Sequence, residues 1–363
     1  MLSAEGCRQR RQRLWQRLPE RPDGDILILG DPIHLMYLAN FFVDPFSLGG
    51  GFGGYLVLTP DGQARLIHDD RLPQDVENAH VDDRIVVPWY DGQADGRGAR
   101  QSALRDAVGE GRPFRVHDEP NDPLGPTVIG TLASLRRQKD PDELALLTQS
   151  MRAGEAGHAW ALREVRPGMT ELEVYRGVAS ACTEAAGRAV IVYGDFAVSP
   201  GPERRGGPPT RRVLAAGDMM ILDFSVVIGI YRGDFTNTMV VGGKPRDDQR
   251  RLYDSCIAAM RAGEDQLRGG AACQQVYDAV FQSFEKAGMA EHFPHHAGHG
   301  LGLTHPEAPY FVRRSGETLL ENDVVTLEPG LYVSNVGGIR IENNYRITAN
   351  GFETMSHHQI ALA

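Results

Sequence analysis

A carboxylate set inside an apolar, strand-like segment is costly to bury unless it meets a counter-charge or a cation, and this chain repeats that arrangement four times. Asp223 and Asp234 interrupt ILDFSVVIGIYRGDFTNTMVVG, Glu328 interrupts TLEPGLYV, and Glu342 interrupts GGIRIENNYRIT. His299 lies in a fourth segment of this kind, HHAGHGLGL. Four carboxylates brought together repel, and two divalent ions would neutralise them, with shared carboxylates bridging. A set of oxygen ligands plus one imidazole nitrogen suits manganese, the leading expectation, with cobalt, zinc or iron as alternatives.

Asp223 and Asp234 are separated by an odd number of residues and so would face opposite sides of one straight strand. They are therefore expected on neighbouring strands, with Gly229 as the break that makes a hairpin. Two unrelated aspartates capping turns are the alternative for this pair taken alone.

With these segments in view, the chain resembles the M24 metallopeptidases of pita-bread fold, a family that includes prolidase, aminopeptidase P and methionine aminopeptidase, with creatinase as a relative. The resemblance covers nearly the whole chain. It includes LRRQKDPDELALL, VRPGMTELEV and the amino-terminal DILILGDPIHLMYLANF, which is similar to the creatinase and prolidase amino-terminal domain. It implies that Asp223, Asp234 and Glu342 hold one ion and that His299, Glu328, Asp234 and Glu342 hold the other. Asp234 and Glu342 would bridge, and Glu328 would relay a proton from the water between the ions. The catalytic set expected is Glu328 and His295, joined by His305 if a shift of its loop lets it stand in for the histidine that the family carries at the position of Pro306. His295 matches a histidine that contacts substrate in proline-specific relatives, and His296 has no such counterpart.

The chain departs from the family pattern at two places. Where proteolytic members carry a histidine shortly before the first aspartate, this chain reads GGPPTRRVLAAGD, with Gly206 and Gly207 at the matching positions. Where a histidine is expected seven residues after His299 stands Pro306, and His305 precedes it. The histidines concerned are held to bind the substrate carbonyl, and loss of one donor of that kind costs about a hundredfold to a thousandfold in rate. Arg340 is expected on the same side of a strand as Glu342, either as its charge partner or as a substrate-binding residue. Tyr332 is expected as a wall of the substrate site and Tyr231 as core.

The expectation is an α+β protein with a creatinase/prolidase-like domain over 1–134 and a pita-bread catalytic domain over 135–363. Its function is hydrolysis of a small C–N bond in a short peptide or small molecule, resembling an Xaa-Pro peptidase. The alternatives are a hydrolase of a small non-peptide amide, a metal-dependent lyase, and a catalytically weak binding protein.

A formal charge of -10 over 363 residues argues against nucleic acid as a partner. The exception is the basic run RQRRQR at residues 8–13, read as the polar face of a first helix, with a membrane-binding helix as the alternative. No stretch is apolar enough to span a bilayer or act as a signal peptide, so a cytoplasmic location is expected. Cys7, Cys182, Cys256 and Cys273 lack metal-knuckle spacing and read as free thiols. A homodimer is an expectation of the resemblance.

Among local elements, 26–30 reads as a buried strand and 55–69 as a hairpin turning at Asp61-Gly62. The glycine run at 49–54 leads into a strand and not a helix, which argues against a dinucleotide site and for a flexible loop reaching an active site. Residues 91–126 read as a loop-rich approach to the domain boundary. Asp140-Pro-Asp-Glu143 is a helix start with an acidic cap, and a second helix is expected over Glu171 to Ala186, with another in DDQRRLYDSCIAAMRAGEDQL.

Overall fold

The computed structural model describes residues 1–22, 25–46, 53–71, 73–87, 115–198 and 205–363. Residues 49–52 of the glycine run and residues 91–114 of the loop-rich stretch lie outside the described residues. The chain forms two compact units, Met1–Arg136 and Arg137–Ala363.

The first unit has a four-stranded sheet in the order β1 (Leu27–Leu29), β2 (Tyr55–Leu58), β3 (Ala64–Asp69), β4 (Asp83–Val87). Strands β2 and β3 form the expected hairpin, with Gly62 at φ +89° and its N–H donating to the Thr59 carbonyl. Helices α1 (Ala4–Arg17), α2 (Pro32–Ala39), α3 (Pro73–Glu77) and α4 (Gly125–Leu135) complete the unit.

The basic run on α1 differs from expectation. Arg10 is 0 % exposed and Arg11 4 %. Arg10 Nε donates to the Tyr37 carbonyl at 2.7 Å, and Arg11 donates to the carbonyls of Leu38 at 2.9 Å and His80 at 3.0 Å. Tyr37 and Leu38 belong to the last turn of α2, where carbonyls lack helical partners and the dipole favours a cation. Two of the run's four arginines are thus internal glue and not part of a polar face. Among the described residues, no helix is long and apolar enough to cross a membrane.

The second unit is built on three sheets. One has the order β5 (Ile191–Val198), β6 (Met219–Ile228), β7 (Tyr231–Val240). A five-stranded sheet runs β14 (Gly351–Thr354), β13 (Asn343–Thr348), β10 (Val324–Leu327), β8 (Gly298–Gly300), β9 (Glu307–Phe311). The third pairs β11 (Gly330–Val333) with β12 (Gly337–Arg340).

Helices α5 (Pro141–Glu164) and α6 (Glu171–Ala186) pack together, and α5 lies against β6 and β7. Both start with capping boxes, Asp140 with Glu143 and Thr170 with Glu173, which satisfy amide groups that a helix start leaves open. Helices α7 (Asp247–Glu264) and α8 (Cys273–Lys286) share an apolar core with β10 to β13 that includes Leu252, Val280, Phe284, Leu327 and Ile339. Apolar walls on both sides leave the inner faces of β6, β7, β8, β10 and the β12–β13 junction as the place where the acids meet.

Candidate metal centre

The β6–β7 hairpin turns at Gly229 and Ile230, with φ 55° and 68°, between the paired residues Ile228 and Tyr231. A two-residue loop with both central residues left-handed matches the twist of the flanking strands. Its register pairs Asp223 with Thr236 and Ser225 with Asp234. All four residues therefore share one face, and the two aspartates lie diagonally across the ladder.

Glu342 reaches the same place from the β12–β13 junction. Its N–H donates to the Thr236 carbonyl at 3.1 Å, and its Oε2 accepts from Thr236 Oγ1 at 2.7 Å. Its Oε1 is buried and has no hydrogen-bond partner among the described residues, while the side chain as a whole is 1 % exposed. Burial, followed by the charges of Asp234, Glu328 and Asp223, pushes its carboxyl well above the usual carboxylate range. Asp223 is pushed up to about 7 by burial, with Arg340 opposing and Asp234 adding to the rise.

His299 stands on β8. Its Nδ1 donates to the Gly300 carbonyl at 2.9 Å, which leaves the Nε2 lone pair toward the acids, 3.4 Å from Glu328 Oε1 and 3.9 Å from Asp234 Oδ2. A carbonyl holding one ring nitrogen as donor is how a protein presents the other as a ligand. Glu328 follows β10 and is anchored by its N–H donating to the Ala297 carbonyl at 2.8 Å.

Ligand atoms of Asp223, Asp234 and Glu342 lie within 4.8 Å of one another, and so do those of His299, Glu328 and Glu342 and those of Asp234, His299 and His305. Glu342 belongs to two of these triads and Asp234 to two. A buried carboxylate oxygen with no donor, surrounded by three more acids and an imidazole lone pair, is the environment a divalent cation would satisfy. The residues present fit such ions.

His305 projects into the cluster, its Nε2 donating to Asp234 Oδ2 at 2.5 Å. Burial works against a charge on its ring, but the hydrogen bond and charge of Asp234, with Asp223 and Glu328, outweigh burial and raise it above the usual imidazole value. His295 donates from Nδ1 to the His296 carbonyl at 2.7 Å, its Nε2 is buried without a hydrogen-bond partner among the described residues, and burial lowers it to about 4.

Arg340 does not pair with Glu342. Strand β12 ends at Arg340, so the alternation that would have put both side chains on one side stops there. Its guanidinium donates to Asp223 Oδ2, to Asp195 Oδ2 at 2.6 Å and to the Tyr332 hydroxyl at 2.8 Å. Tyr332 is buried behind it, and Tyr231, also buried, donates to Glu143 Oε1 at 2.8 Å.

One residue at the site, Asp195, was absent from the sequence expectations, and another, His296, was given no role there. His296 Nδ1 lies 3.4 Å from Glu328 Oε1. Asp195 faces Asp223 across the β5–β6 ladder. Asp195 carries the signal that marks the other acids, a carboxylate in a strand-like segment, IVYGDFAV. His296 carries none beyond its neighbours. Gly206 and Gly207 lie beside Asp195, and the Gly207 N–H donates to its Oδ1 at 2.8 Å.

The family model described as metallopeptidase family M24 matches residues 145–349. An uncharacterized peptidase of Staphylococcus haemolyticus is 28% identical over 233 residues, 63% of this chain and 65% of that protein. An uncharacterized peptidase of Staphylococcus aureus is 26% identical over 234 residues, 63% of this chain and 65% of that protein. The match thus spans just under two thirds of the length of these relatives.

Solved structures match over the whole chain. An Xaa-Pro dipeptidase from Bacillus anthracis superposes with a TM-score of 0.76 at 23% identity, covering 99% of this chain and 99% of that one. A prolidase from Pyrococcus horikoshii gives 0.77 at 20%, covering 98% and 100%. Zinc-substituted Escherichia coli aminopeptidase P in complex with product gives 0.74 at 18%, covering 99% and 96%. At these identities the likeness is one of fold, and it is the two-domain fold the sequence led us to expect.

Proposed function

This chain belongs to metallopeptidase family M24, and on that premise we propose that it is a two-metal hydrolase of a small C–N bond, acting on an Xaa-Pro dipeptide or a similarly small amide. The observation that carries the reading is the convergence of Asp223, Asp234, His299 and Glu328 on Glu342, whose Oε1 is buried with no hydrogen-bond partner among the described residues. We assign Asp223, Asp234 and Glu342 to one ion and His299, Glu328, Asp234 and Glu342 to the other, with manganese first and cobalt, zinc or iron as alternatives. Bound there, the ions would supply Lewis acidity toward a carbonyl and an acidified water as nucleophile.

The remaining roles fall to the chain itself. Glu328 takes the proton of the nucleophile at a carboxylate oxygen, a task that suits its place between His296 and His299. His305 holds a proton at Nε2 facing the cluster and is the donor offered where Pro306 replaces the expected histidine. His295, with a free Nε2, is assigned to the substrate. Arg340 acts from behind, holding Asp223, and is itself held by the Tyr332 hydroxyl.

A second reading is favoured by Gly206 and Gly207. That side of the site carries the Asp195 carboxylate, an acceptor where a donor would serve a peptide carbonyl. A hydrolase of a small non-peptide amide, or a metal-dependent lyase, would fit that arrangement.

The test is release of proline from a panel of Xaa-Pro dipeptides by the manganese-reconstituted protein, with Asp234→Ala as control. Turnover that vanishes in the control supports the peptidase. Bound metal without turnover transfers the reading to small non-peptide substrates, and products lacking incorporated water single out the lyase. A homodimer belongs to this proposal, and a monomer by light scattering at working concentration would remove it.

A further inference from the structure

We propose that Asp195 keeps Asp223 available to a cation by taking a share of the Arg340 guanidinium, and that position 206 is glycine to make room for it. The inference rests on the two-metal reading above.

Asp195 and Asp223 are directly paired residues of β5 and β6. Side chains at paired positions stand on the same face as close neighbours, and like charges there are destabilising without a cation between them. One Arg340 nitrogen supplies that charge, donating to Oδ2 of both carboxylates. A single guanidinium thus serves two acids. Were Asp195 neutral, Arg340 would be matched by Asp223 alone, and a metal ion would compete with a buried guanidinium for the oxygens of its own ligand. With Asp195 charged, Arg340 is matched by Asp195, and Asp223 keeps a negative charge to give to the ion.

The segment at 206–207 is shaped around this carboxylate. The Gly207 N–H donates to Asp195 Oδ1 at 2.8 Å, and the Gly207 carbonyl accepts from the Phe196 N–H at 2.9 Å. A Cβ on Gly206 would lie 1.9 Å from Asp195 Oδ2 and 2.3 Å from its Cγ. No side chain fits at 206 unless the Asp195 carboxylate leaves Arg340. Asp195 touches neither substrate nor ion in this account and is a positioning residue.

Calorimetric titration of the chelator-treated full chain with Mn2+ tests it. Asp195→Asn is expected to weaken the affected site roughly 10–100-fold, the usual effect of losing a partner that orients a ligand. Gly206→Ala is expected to weaken it likewise, yet to add nothing in an Asp195→Ala background, because the group it displaces is gone. In an Arg340→Met background the effect of Asp195→Asn should largely vanish, whereas a simple through-space attraction between Asp195 and the ion would persist. Wild-type affinity and stoichiometry in Asp195→Asn, or an undiminished loss in the Arg340→Met background, overturns this inference while leaving the two-metal reading intact. A wild-type chain that takes up no divalent ion overturns both.

Discussion

At the scale of single residues, Glu342 concentrates the conflict at this site. One oxygen is held by Thr236 and the other has no donor, so ionising it in the absence of a cation is unfavourable. Glu342→Gln keeps the shape and removes the charge. In chelator-treated protein above neutral pH this variant should be more stable than wild type by about 1–3 kcal/mol, measured by denaturant unfolding, and on adding Mn2+ the order should reverse. A variant less stable than wild type in both conditions would show that Glu342 is not held for a cation. The acids were legible in the sequence because each breaks an apolar run. Their partners were not: Arg340 could be assigned to Glu342 on strand alternation alone, and only the end of β12 at Arg340 turns it to Asp223 and Asp195.

At the scale of elements, the hairpin that carries both aspartates has an internal flaw. Ile230 is β-branched and sits at φ 68°, a region that suits glycine or asparagine and costs other residues of order 1–3 kcal/mol. Ile230→Gly should raise the stability of the chain by about 1 kcal/mol, at the lower end of that range because glycine is also freer in the unfolded chain. Thermal unfolding at fixed pH and metal content reads this.

The carboxy-terminal segment after β14 makes a second element-scale prediction. It lies along β7, with the Ala361 N–H donating to Asn237 Oδ1 at 3.0 Å and the Val240 N–H to the Leu362 carbonyl at 2.6 Å. His358 Nε2 donates to the Thr236 carbonyl at 3.1 Å, with its ring 4.7 Å from that of His158. Burial lowers His358 to about 4 from an ordinary value of 6.5, and His158 is lowered too, by burial and then by His358. A histidine depressed on folding is protonated first in the unfolded chain. Its stability is therefore present above about pH 6.5 and lost as the pH falls toward 4. The stability of wild type relative to His358→Gln should fall over that window by up to about 1.4 kcal/mol per pH unit, and a difference that does not change with pH would count against it. The helices that frame the sheets were legible from their caps. The buried arginines of α1 were not, because a basic run does not announce which carbonyls will come within reach of it.

At the scale of the whole molecule, all the candidate ligands belong to the unit Arg137–Ala363. Scanning calorimetry of the full chain should therefore give an unfolding transition that Mn2+ moves upward and another that it leaves in place. One transition moved as a whole would mean that the units unfold together. Family and fold class were legible here because the acid-bearing segments occur in a specific order along nearly the whole chain. The substrate was not, since fold does not settle chemistry.

The fit between Gly206 and Asp195 also bears on which changes this protein can accept, and in what order. A histidine introduced at 206 meets the Asp195 carboxylate before it meets any substrate. Mutation toward the peptidase pattern must then pass through position 195 first, and a library that varies 206 alone would return variants with a weakened metal site. A side chain at 206 is accommodated only as the second of two steps, after the carboxylate at 195 has gone, so the order of substitutions on this side of the site is set by the packing of two residues.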